Sequence, residues 1–188
     1  MIEHRRLRSF DGTEIAYQVC GEGPAVVLAN GLGAHHNLFG PLFQGLGDHC
    51  RVLSWDYRGM HASAAPKDAA NLTVAHHCDD LAHILRHEGI GRCVLCGWSM
   101  GVQVCLEFTR HRQHLLRGIV AICGATGRTG FLDGQGNLVL AGASSGPGWP
   151  IVHREPHGTP SPLVPLAVAV FLLGCRAIRG RRAARRLG

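Results

Sequence analysis

The chain has 188 residues, of which 46% are hydrophobic and 17% are charged. That length accommodates one domain with a substantial hydrophobic core. The composition excludes an intrinsically disordered chain, because such chains bury too little apolar surface to fold. The net charge of +6 lies entirely in six arginines among the last 13 residues, since residues 1–175 hold 13 basic and 13 acidic residues. A neutral body argues against nucleic acid as a partner, because nucleic-acid-binding folds carry positive charge on one face or stripe.

The predicted elements alternate between strands and helices over the first two thirds of the chain. The pair Asp11-Gly12 predicts a hairpin between antiparallel strands at 7–10 and 14–20. Continuous apolar runs, typical of strands buried on both faces, follow at 25–29, 52–55, 93–96 and 119–123. Helical periodicity predicts helices at 37–46, 73–87 and 100–111. This alternation indicates an α/β fold with a mostly parallel sheet and flanking helices.

The sequence changes character after about residue 134. Residues 135–162 are rich in glycine, proline and serine, which predicts an irregular segment. Residues 163–188 combine an apolar run of 13 residues with the six arginines. As a helix, that run is about 20 Å long, too short for a bilayer core of roughly 30 Å. We therefore predict a core at 1–134 followed by these two segments.

The cysteines are predicted to be buried thiols. Residues 1–10 contain three arginines but no apolar stretch of the length that a secretory signal requires, which predicts a cytoplasmic, reducing location. Cys93 and Cys96 form a CxxC motif, but no second pair stands at ligand spacing, and Val94 and Leu95 suit a buried strand. Neither a metal nor a redox cofactor is predicted at these cysteines.

The segment Gly97-Trp98-Ser99-Met100-Gly101 is a GxSxG motif between a predicted strand and a predicted helix. In that context the motif predicts a nucleophile elbow, a tight turn that lifts the serine hydroxyl above the sheet edge. Such a turn brings backbone segments so close together that the two flanking positions have no room for a side chain and require glycine. The helix that follows directs its positive dipole end towards the same place. Ser99 is therefore the candidate nucleophile.

Two further motifs occur in the expected order. The loop Asn30-Gly31-Leu32-Gly33 follows the strand at 25–29, and the segment 56–63 follows the next strand. With these motifs the sequence resembles the α/β-hydrolase superfamily over about residues 5–130, and 56–63 is similar to that family's DxRGxGxS segment. The resemblance implies that the backbone amides of Leu32 and Met100 form an oxyanion hole.

The resemblance also narrows the expected chemistry. Ser99, rather than an aspartate, argues against the dehalogenases and epoxide hydrolases of the superfamily and favours an acyl-enzyme route. The nearest group, by resemblance, comprises small bacterial serine esterases, enol-lactonases and carbon–carbon bond hydrolases. Their substrates imply a small ester or lactone as partner, with no cofactor. Asn30 and His61 depart from the family pattern, which has histidine in many members at the first position and usually glycine at the second.

The catalytic acid and histidine are not identified. In this superfamily both follow the serine, on later strands, whereas only 65 residues follow Cys123. The sequence therefore predicts a hydrolase core that lacks the last strands of the usual sheet. The edge of the strand at 119–123 is then exposed, as a surface for self-association, unless the tail or a partner covers it. We weighed His153, His157, Asp133 and His61 as substitutes and assigned none of them.

No metal site is predicted among the remaining histidines. His76, His83 and His87 fall with Asp80 on one helical face, opposite an apolar stripe, so a solvated polar face is the simpler interpretation. An apolar substrate pocket is predicted from four side chains near the motifs: Leu32, Phe39, Trp98 and Met100.

Three interpretations of the whole chain stay open. The first is a serine hydrolase that acts through a Ser99 acyl-enzyme, impaired by an atypical triad. The second is a non-catalytic, truncated or frame-disrupted relative that binds a ligand or a partner. The third adds weak membrane-surface contact through the apolar and arginine-rich segment 163–188.

Overall fold

A computed structural model describes residues 1–122, 128–133 and 138–143, with side chains described over 1–122. Eight strands occupy these ranges: β1 (Glu3–Arg8), β2 (Glu14–Cys20), β3 (Ala25–Ala29), β4 (Arg51–Trp55), β5 (Cys93–Trp98), β6 (Leu116–Ile122), β7 (Arg128–Asp133) and β8 (Leu138–Ala143). They form one sheet in the order β1-β2-β4-β3-β5-β6-β7-β8.

The four central strands, β4, β3, β5 and β6, pair in parallel, and antiparallel pairs complete both sides of the sheet. The predicted α/β fold is therefore confirmed. The predicted hairpin at Asp11-Gly12 is also present, with Gly12 at a φ of 83° and Ser9 N–H bonded to Thr13 O at 2.8 Å. Strand β1 begins at Glu3, earlier than predicted, because its pairing with β2 extends to Glu3↔Val19. It ends at Arg8 because the turn extends back to Ser9.

Three helices flank the sheet: α1 (Gly40–Gly47), α2 (Val74–His87) and α3 (Met100–Arg112). Helix α1 starts later than predicted because a 3-10 turn, His36–Phe39, precedes it. Thr73 caps α2 by accepting the His76 N–H through its hydroxyl, which is a common way to satisfy a free amide at a helix start.

The core has two parts because side chains of a strand alternate between the faces of a sheet. Val26 and Leu28 lie in one cluster with the apolar residues of α1. Val27 lies in the other cluster, with the apolar residues of α2 and α3. Burial on both faces explains why the central strands have continuous apolar sequences.

Strands β7 and β8 are the main departure from the sequence expectation. Strand β7 pairs antiparallel with β6 from Gly118↔Asp133 to Ala121↔Gly130, so the segment after β6 covers the edge that would otherwise be exposed. Strand β8 lies within the segment predicted to be irregular. Its sequence contains two alanines and a glycine, which have weak strand propensity. The amino-acid pattern therefore does not predict a strand at this place. The rest of 135–162 and all of 163–188 lie outside the described residues.

Candidate active site

Ser99 lies on a sharp turn between β5, which ends at Trp98, and α3, which begins at Met100. Its backbone has a φ of 54° and a ψ of −116°, a sparsely populated conformation for a residue with a side chain that costs about 1–3 kcal/mol. The turn is held by the Ser99 N–H, which donates to Ile122 O at 3.0 Å, and by Ser99 O, which accepts from the Val102 N–H at 3.0 Å. The Ser99 residue is exposed.

Two glycines allow this turn to form. A Cβ atom at Gly97 would lie 2.4 Å from Gly101 O, and a Cβ atom at Gly101 would lie 2.1 Å from Ala29 O. Both distances are far below van der Waals contact, so neither position accepts a side chain without movement of the backbone. The second contact joins the turn directly to the end of β3.

The loop 30–33 packs against this turn. A Cβ atom at Gly31 would lie 2.8 Å from the Trp98 ring and 3.3 Å from Ser99 Cβ. Asn30 anchors the loop, since its Nδ2 donates to Trp55 O at 3.1 Å. Its carbonyl accepts the Tyr57 hydroxyl at 2.7 Å. The structure thus places Gly31, the residue before Leu32, beside Ser99.

Two backbone amides are available near Ser99. Among the described residues, neither the Leu32 N–H nor the Met100 N–H donates a backbone hydrogen bond outside the regular elements. Met100 is the first residue of α3, and the first N–H groups of a helix have no partner within the helix. An oxyanion hole is built from backbone donors of this kind.

An aromatic pair packs beside the turn. The Phe39 ring meets the half-buried Trp98 ring edge to face, with centroids 6.4 Å apart. Leu32 and Leu38 are 68% and 41% exposed, unusual values for large apolar side chains. The apolar side chains predicted to line a pocket therefore include both packed and solvent-facing members.

Within residues 1–122, no histidine hydrogen-bonds to Ser99 Oγ. His61 is exposed, as a loop histidine should be, and its Nε2 lies 3.1 Å from Gly33 O. Its φ of 49° is one that glycine adopts without strain, which accounts for a glycine in similar sequences. His153, His157 and the side chain of Asp133 lie outside the described residues.

A group that the sequence did not single out lies next to this loop. His35, His36 and Asp56, called here the histidine cluster, place one ligand atom each within 4.8 Å of one another. Asp56 Oδ2 lies 2.8 Å from His36 Nδ1 and 3.6 Å from His35 Nε2. Burial alone raises the pKa of Asp56, but contacts with His36 and with the Ala62 amide outweigh burial and hold this pKa below its ordinary value. Asp56 is therefore an anion.

A second buried cluster lies on the other side of Tyr57 in the sequence. Arg58 binds both carboxylate oxygens of Asp80, at 2.9 and 2.6 Å, and also binds Asp11 at 2.9 Å and the Asn71 carbonyl at 3.2 Å. These four residues are called here the arginine cluster. Arg58 and Asp80 are fully buried, so the expectation that Asp80 belongs to a solvated face is wrong. The reason is that a partner distant in sequence neutralises it.

The cysteine prediction is confirmed for the described residues, where six cysteines are buried and free. Cys93 and Cys96 belong to the two different core clusters, on opposite faces of β5. Burial raises the pKa of each thiol to about 12, so both stay protonated. A thiol in this state is a poor metal ligand and a poor nucleophile.

The fold and the turn at Ser99 define a class of protein. Residues 24–163 match the family model described as the alpha/beta hydrolase fold, and the chain belongs to that family. It is thus a member of a hydrolase family. None of the helices in the described ranges is long and apolar enough to cross a membrane.

Two curated proteins illustrate its similarity to known family members. The RutD protein of Pantoea ananatis (strain LMG 20103), whose name describes a carbamate hydrolase, is 32% identical over 114 residues, covering 58% of this chain and 41% of that protein. Proline iminopeptidase PfmaB of Pestalotiopsis fici is 31% identical over 119 residues, covering 57% of this chain and 41% of that protein. The chain thus spans about two fifths of the length of these curated relatives.

Solved structures show the same fold. A thermophilic esterase from Thermogutta terrifontis aligns with a TM-score of 0.60 and 27% identity, over 66% of this chain and 46% of that one. Epoxide hydrolase VrEH1 from Vigna radiata aligns with a TM-score of 0.61 and 23% identity, over 64% of this chain and 39% of that one. At that identity, the second similarity concerns the fold alone.

Proposed function

We propose that this chain carries the nucleophile and the oxyanion donors of a serine hydrolase that acts on a small carboxylic ester or lactone. The observation that supports this most strongly is the exposed Ser99 on a strained turn between β5 and α3, with loop 30–33 packed against it. Strain of this kind persists only where the surrounding structure enforces it, and it concentrates at functional sites.

The proposed chemistry is acyl transfer. Ser99 Oγ attacks the carbonyl carbon, and the resulting oxyanion accepts hydrogen bonds from the Leu32 and Met100 amides. The bond to the leaving alcohol then breaks, the alcohol departs with the serine proton, and Ser99 holds the acyl group as an ester. Water cleaves that ester and restores the hydroxyl. One oxyanion donor is typically worth about 100-fold or more in rate.

The identity of the nucleophile favours ester chemistry within the family. By resemblance, epoxide hydrolases of this superfamily use an aspartate at the position of Ser99. A serine there fits the similarity to the Thermogutta terrifontis esterase better than the similarity to the epoxide hydrolases. The substrate class is therefore proposed as an ester or lactone.

The expected activity is low because serine needs an imidazole to accept its proton, and residues 1–122 bring none to Ser99 Oγ. The test is labelling by a fluorophosphonate probe, which reports a single attack by the serine oxygen and does not require turnover. We expect labelling of the intact chain, no labelling of Ser99→Ala, and unchanged labelling of the control Ser161→Ala. Equal labelling of the chain and of Ser99→Ala, or no labelling of either, would contradict the proposal.

The lack of a histidine bonded to Ser99 Oγ in residues 1–122 also supports a second candidate, a hydrolase-fold protein that binds a ligand or a partner without catalysis. A chain that unfolds cooperatively but does not react at Ser99 would favour it.

Two proposals about partners accompany this second candidate. Light scattering tests self-association through the sheet edge at β8, the last strand in the sheet order. Co-sedimentation with anionic vesicles, with and without residues 163–188, tests contact with a membrane surface.

A further inference from the structure

The histidine cluster combines the three features of a metal site: ligands of suitable type, suitable spacing and an unpaired buried nitrogen. Imidazole nitrogens and a carboxylate oxygen are ligands that suit Zn²⁺ and related ions. We propose that His35, His36 and Asp56 bind one divalent transition-metal ion of the zinc type. The proposal is independent of acyl transfer at Ser99.

The spacing of the ligand atoms suits a tetrahedral ion. Zinc binds nitrogen and oxygen at about 2.0–2.2 Å, which places neighbouring ligand atoms about 3.3 Å apart. The separations from Asp56 Oδ2, 2.8 Å to His36 Nδ1 and 3.6 Å to His35 Nε2, lie on either side of that value. All three ligand atoms lie within 4.8 Å of one another, so the two imidazoles must move towards each other to share one ion.

His36 lacks the partners that a buried imidazole normally has. Its side chain is 5% exposed, and neither ring nitrogen has a hydrogen-bond partner among the described residues. Asp56 Oδ2 lies 2.8 Å from Nδ1, but this contact does not have the geometry of a hydrogen bond. Buried polar groups are seldom left unpaired, and a metal ion between these two atoms gives Nδ1 a partner.

The carboxylate is held in position by the backbone. The His36 N–H donates to Asp56 Oδ1 at 2.7 Å, and the Ala62 N–H donates to Oδ2 at 3.1 Å. Hydrogen bonds of this kind orient metal ligands.

His35 supplies a more accessible ligand. Its side chain is 35% exposed, and its ring centroid lies 5.0 Å from that of His61. Water or His61 can therefore complete the four ligands. His35 Nδ1 accepts the Asn37 N–H at 3.2 Å, at the long end of hydrogen-bond distances. Metal binding at Nε2 moves the ring proton to Nδ1 and breaks this bond, which makes the Asn37 amide a reporter.

The experiment is a titration of the metal-stripped full chain with Co²⁺, which absorbs visible light when its coordination is tetrahedral. We expect saturation at one equivalent, displacement by Zn²⁺ but not by Ca²⁺, and a shift of the Asn37 amide resonance. His35→Asn keeps a side chain that can accept the Asn37 N–H but removes the imidazole. His36→Phe keeps an aromatic ring in the core. His87→Ala, an exposed residue at the end of α2, is the control.

Affinity should fall more than about 100-fold in His35→Asn and in His36→Phe, because even outer partners of a metal ligand are worth about 10- to 100-fold. His87→Ala should bind as the parent chain does. His35→Asn decides the question by itself if His36→Phe does not fold. Failure of the parent chain to bind Co²⁺, displacement by Ca²⁺, or equal affinity in His35→Asn would overturn the proposal and leave His36 and Asp56 as an ion pair.

Discussion

Two side chains from one short segment, Asp56 and Arg58, enter buried clusters that differ in completeness. The guanidinium of Arg58 has partners in Asp80, Asp11 and the Asn71 carbonyl. Asp56 faces His36, whose two ring nitrogens have no hydrogen-bond partner among the described residues. A complete cluster fixes the architecture of a fold, whereas an incomplete one retains the capacity to bind a ligand. Variants of each cluster separate these two roles.

The arginine cluster should show the largest effect on stability. Arg58→Met removes the partner of Asp80 and leaves a carboxylate buried without compensation. Breaking a buried pair on one side typically costs about 3–5 kcal/mol. Urea denaturation followed by circular dichroism should show a loss of that size in the free energy of unfolding.

A matched control lies on α3. The Arg110 side chain is 74% exposed, and its contact with Glu107 is 3.5 Å long. Arg110→Met should change stability by less than about 0.5 kcal/mol, as exposed ion pairs contribute little. Similar losses in both variants would mean that Arg58 acts through general charge and not through its buried partners.

A buried histidine next to the arginine cluster predicts a pH dependence. Burial, then the charge of Arg58 and of His76, lowers the pKa of His77 to about 4. The unfolded chain, with a histidine pKa near 6.5, binds a proton at this position below pH 6.5 that the folded chain does not bind. Stability should therefore fall as the pH decreases from 6.5 to 4, by about 3 kcal/mol in total from this residue.

The measurement is the free energy of unfolding between pH 7.5 and 4.5 for the parent chain and for His77→Gln. The variant should show the shallower dependence on pH because it lacks the group that titrates. His87→Gln, which changes an exposed histidine, should keep the parent slope. Equal slopes in all three chains would show that His77 binds its proton equally in the folded and unfolded states.

The turn at Ser99 could be predicted from the sequence because backbone geometry requires particular residues there. Only glycine fits where a Cβ atom would lie 2.4 Å or less from a carbonyl oxygen, so Gly97 and Gly101 mark the turn in the sequence. The central strands were predictable for a similar local reason, since burial on both faces gives continuous apolar runs.

The two charged clusters could not be predicted because their members come from distant parts of the chain. Asp80 occupies a position on α2 that a helical pattern assigns to the polar face, and Arg58, 22 residues earlier, neutralises it. His35 and His36 meet Asp56 only through the parallel pairing of β3 and β4. Helical and strand periodicity describe neighbours along one element and give no information about such pairs.

The histidine cluster should be less costly to disturb than the arginine cluster. Asp56→Asn removes a charge but retains an oxygen that can accept the His36 N–H, and it leaves no unpaired carboxylate. The new amide NH₂ faces the Ala62 N–H, and because both groups are hydrogen-bond donors, the bond that Oδ2 accepted is lost. We expect a loss of about 2 kcal/mol, within the range for hydrogen bonds to charged groups, again from urea denaturation.

Asp48→Asn is the matched control, since Asp48 is exposed. Its effect should stay within about 0.5 kcal/mol, as for most surface substitutions. A loss in Asp56→Asn as large as that in Arg58→Met would contradict the proposed difference between the clusters, because it would show that Asp56 is as completely paired as Arg58.

The smallest effect is expected at Tyr57, between the two charged residues. Burial raises the pKa of Tyr57 well above its ordinary value, so the hydroxyl stays protonated and donates to Asn30 O at 2.7 Å. Tyr57→Phe should cost about 1 kcal/mol, the value of a neutral hydrogen bond. Tyr17→Phe, which removes a bond to the charged Glu88, should cost about twice as much. If Tyr57→Phe instead abolished fluorophosphonate labelling at Ser99 with little loss of stability, the bond to Asn30 would serve to position loop 30–33 and not to hold the fold together.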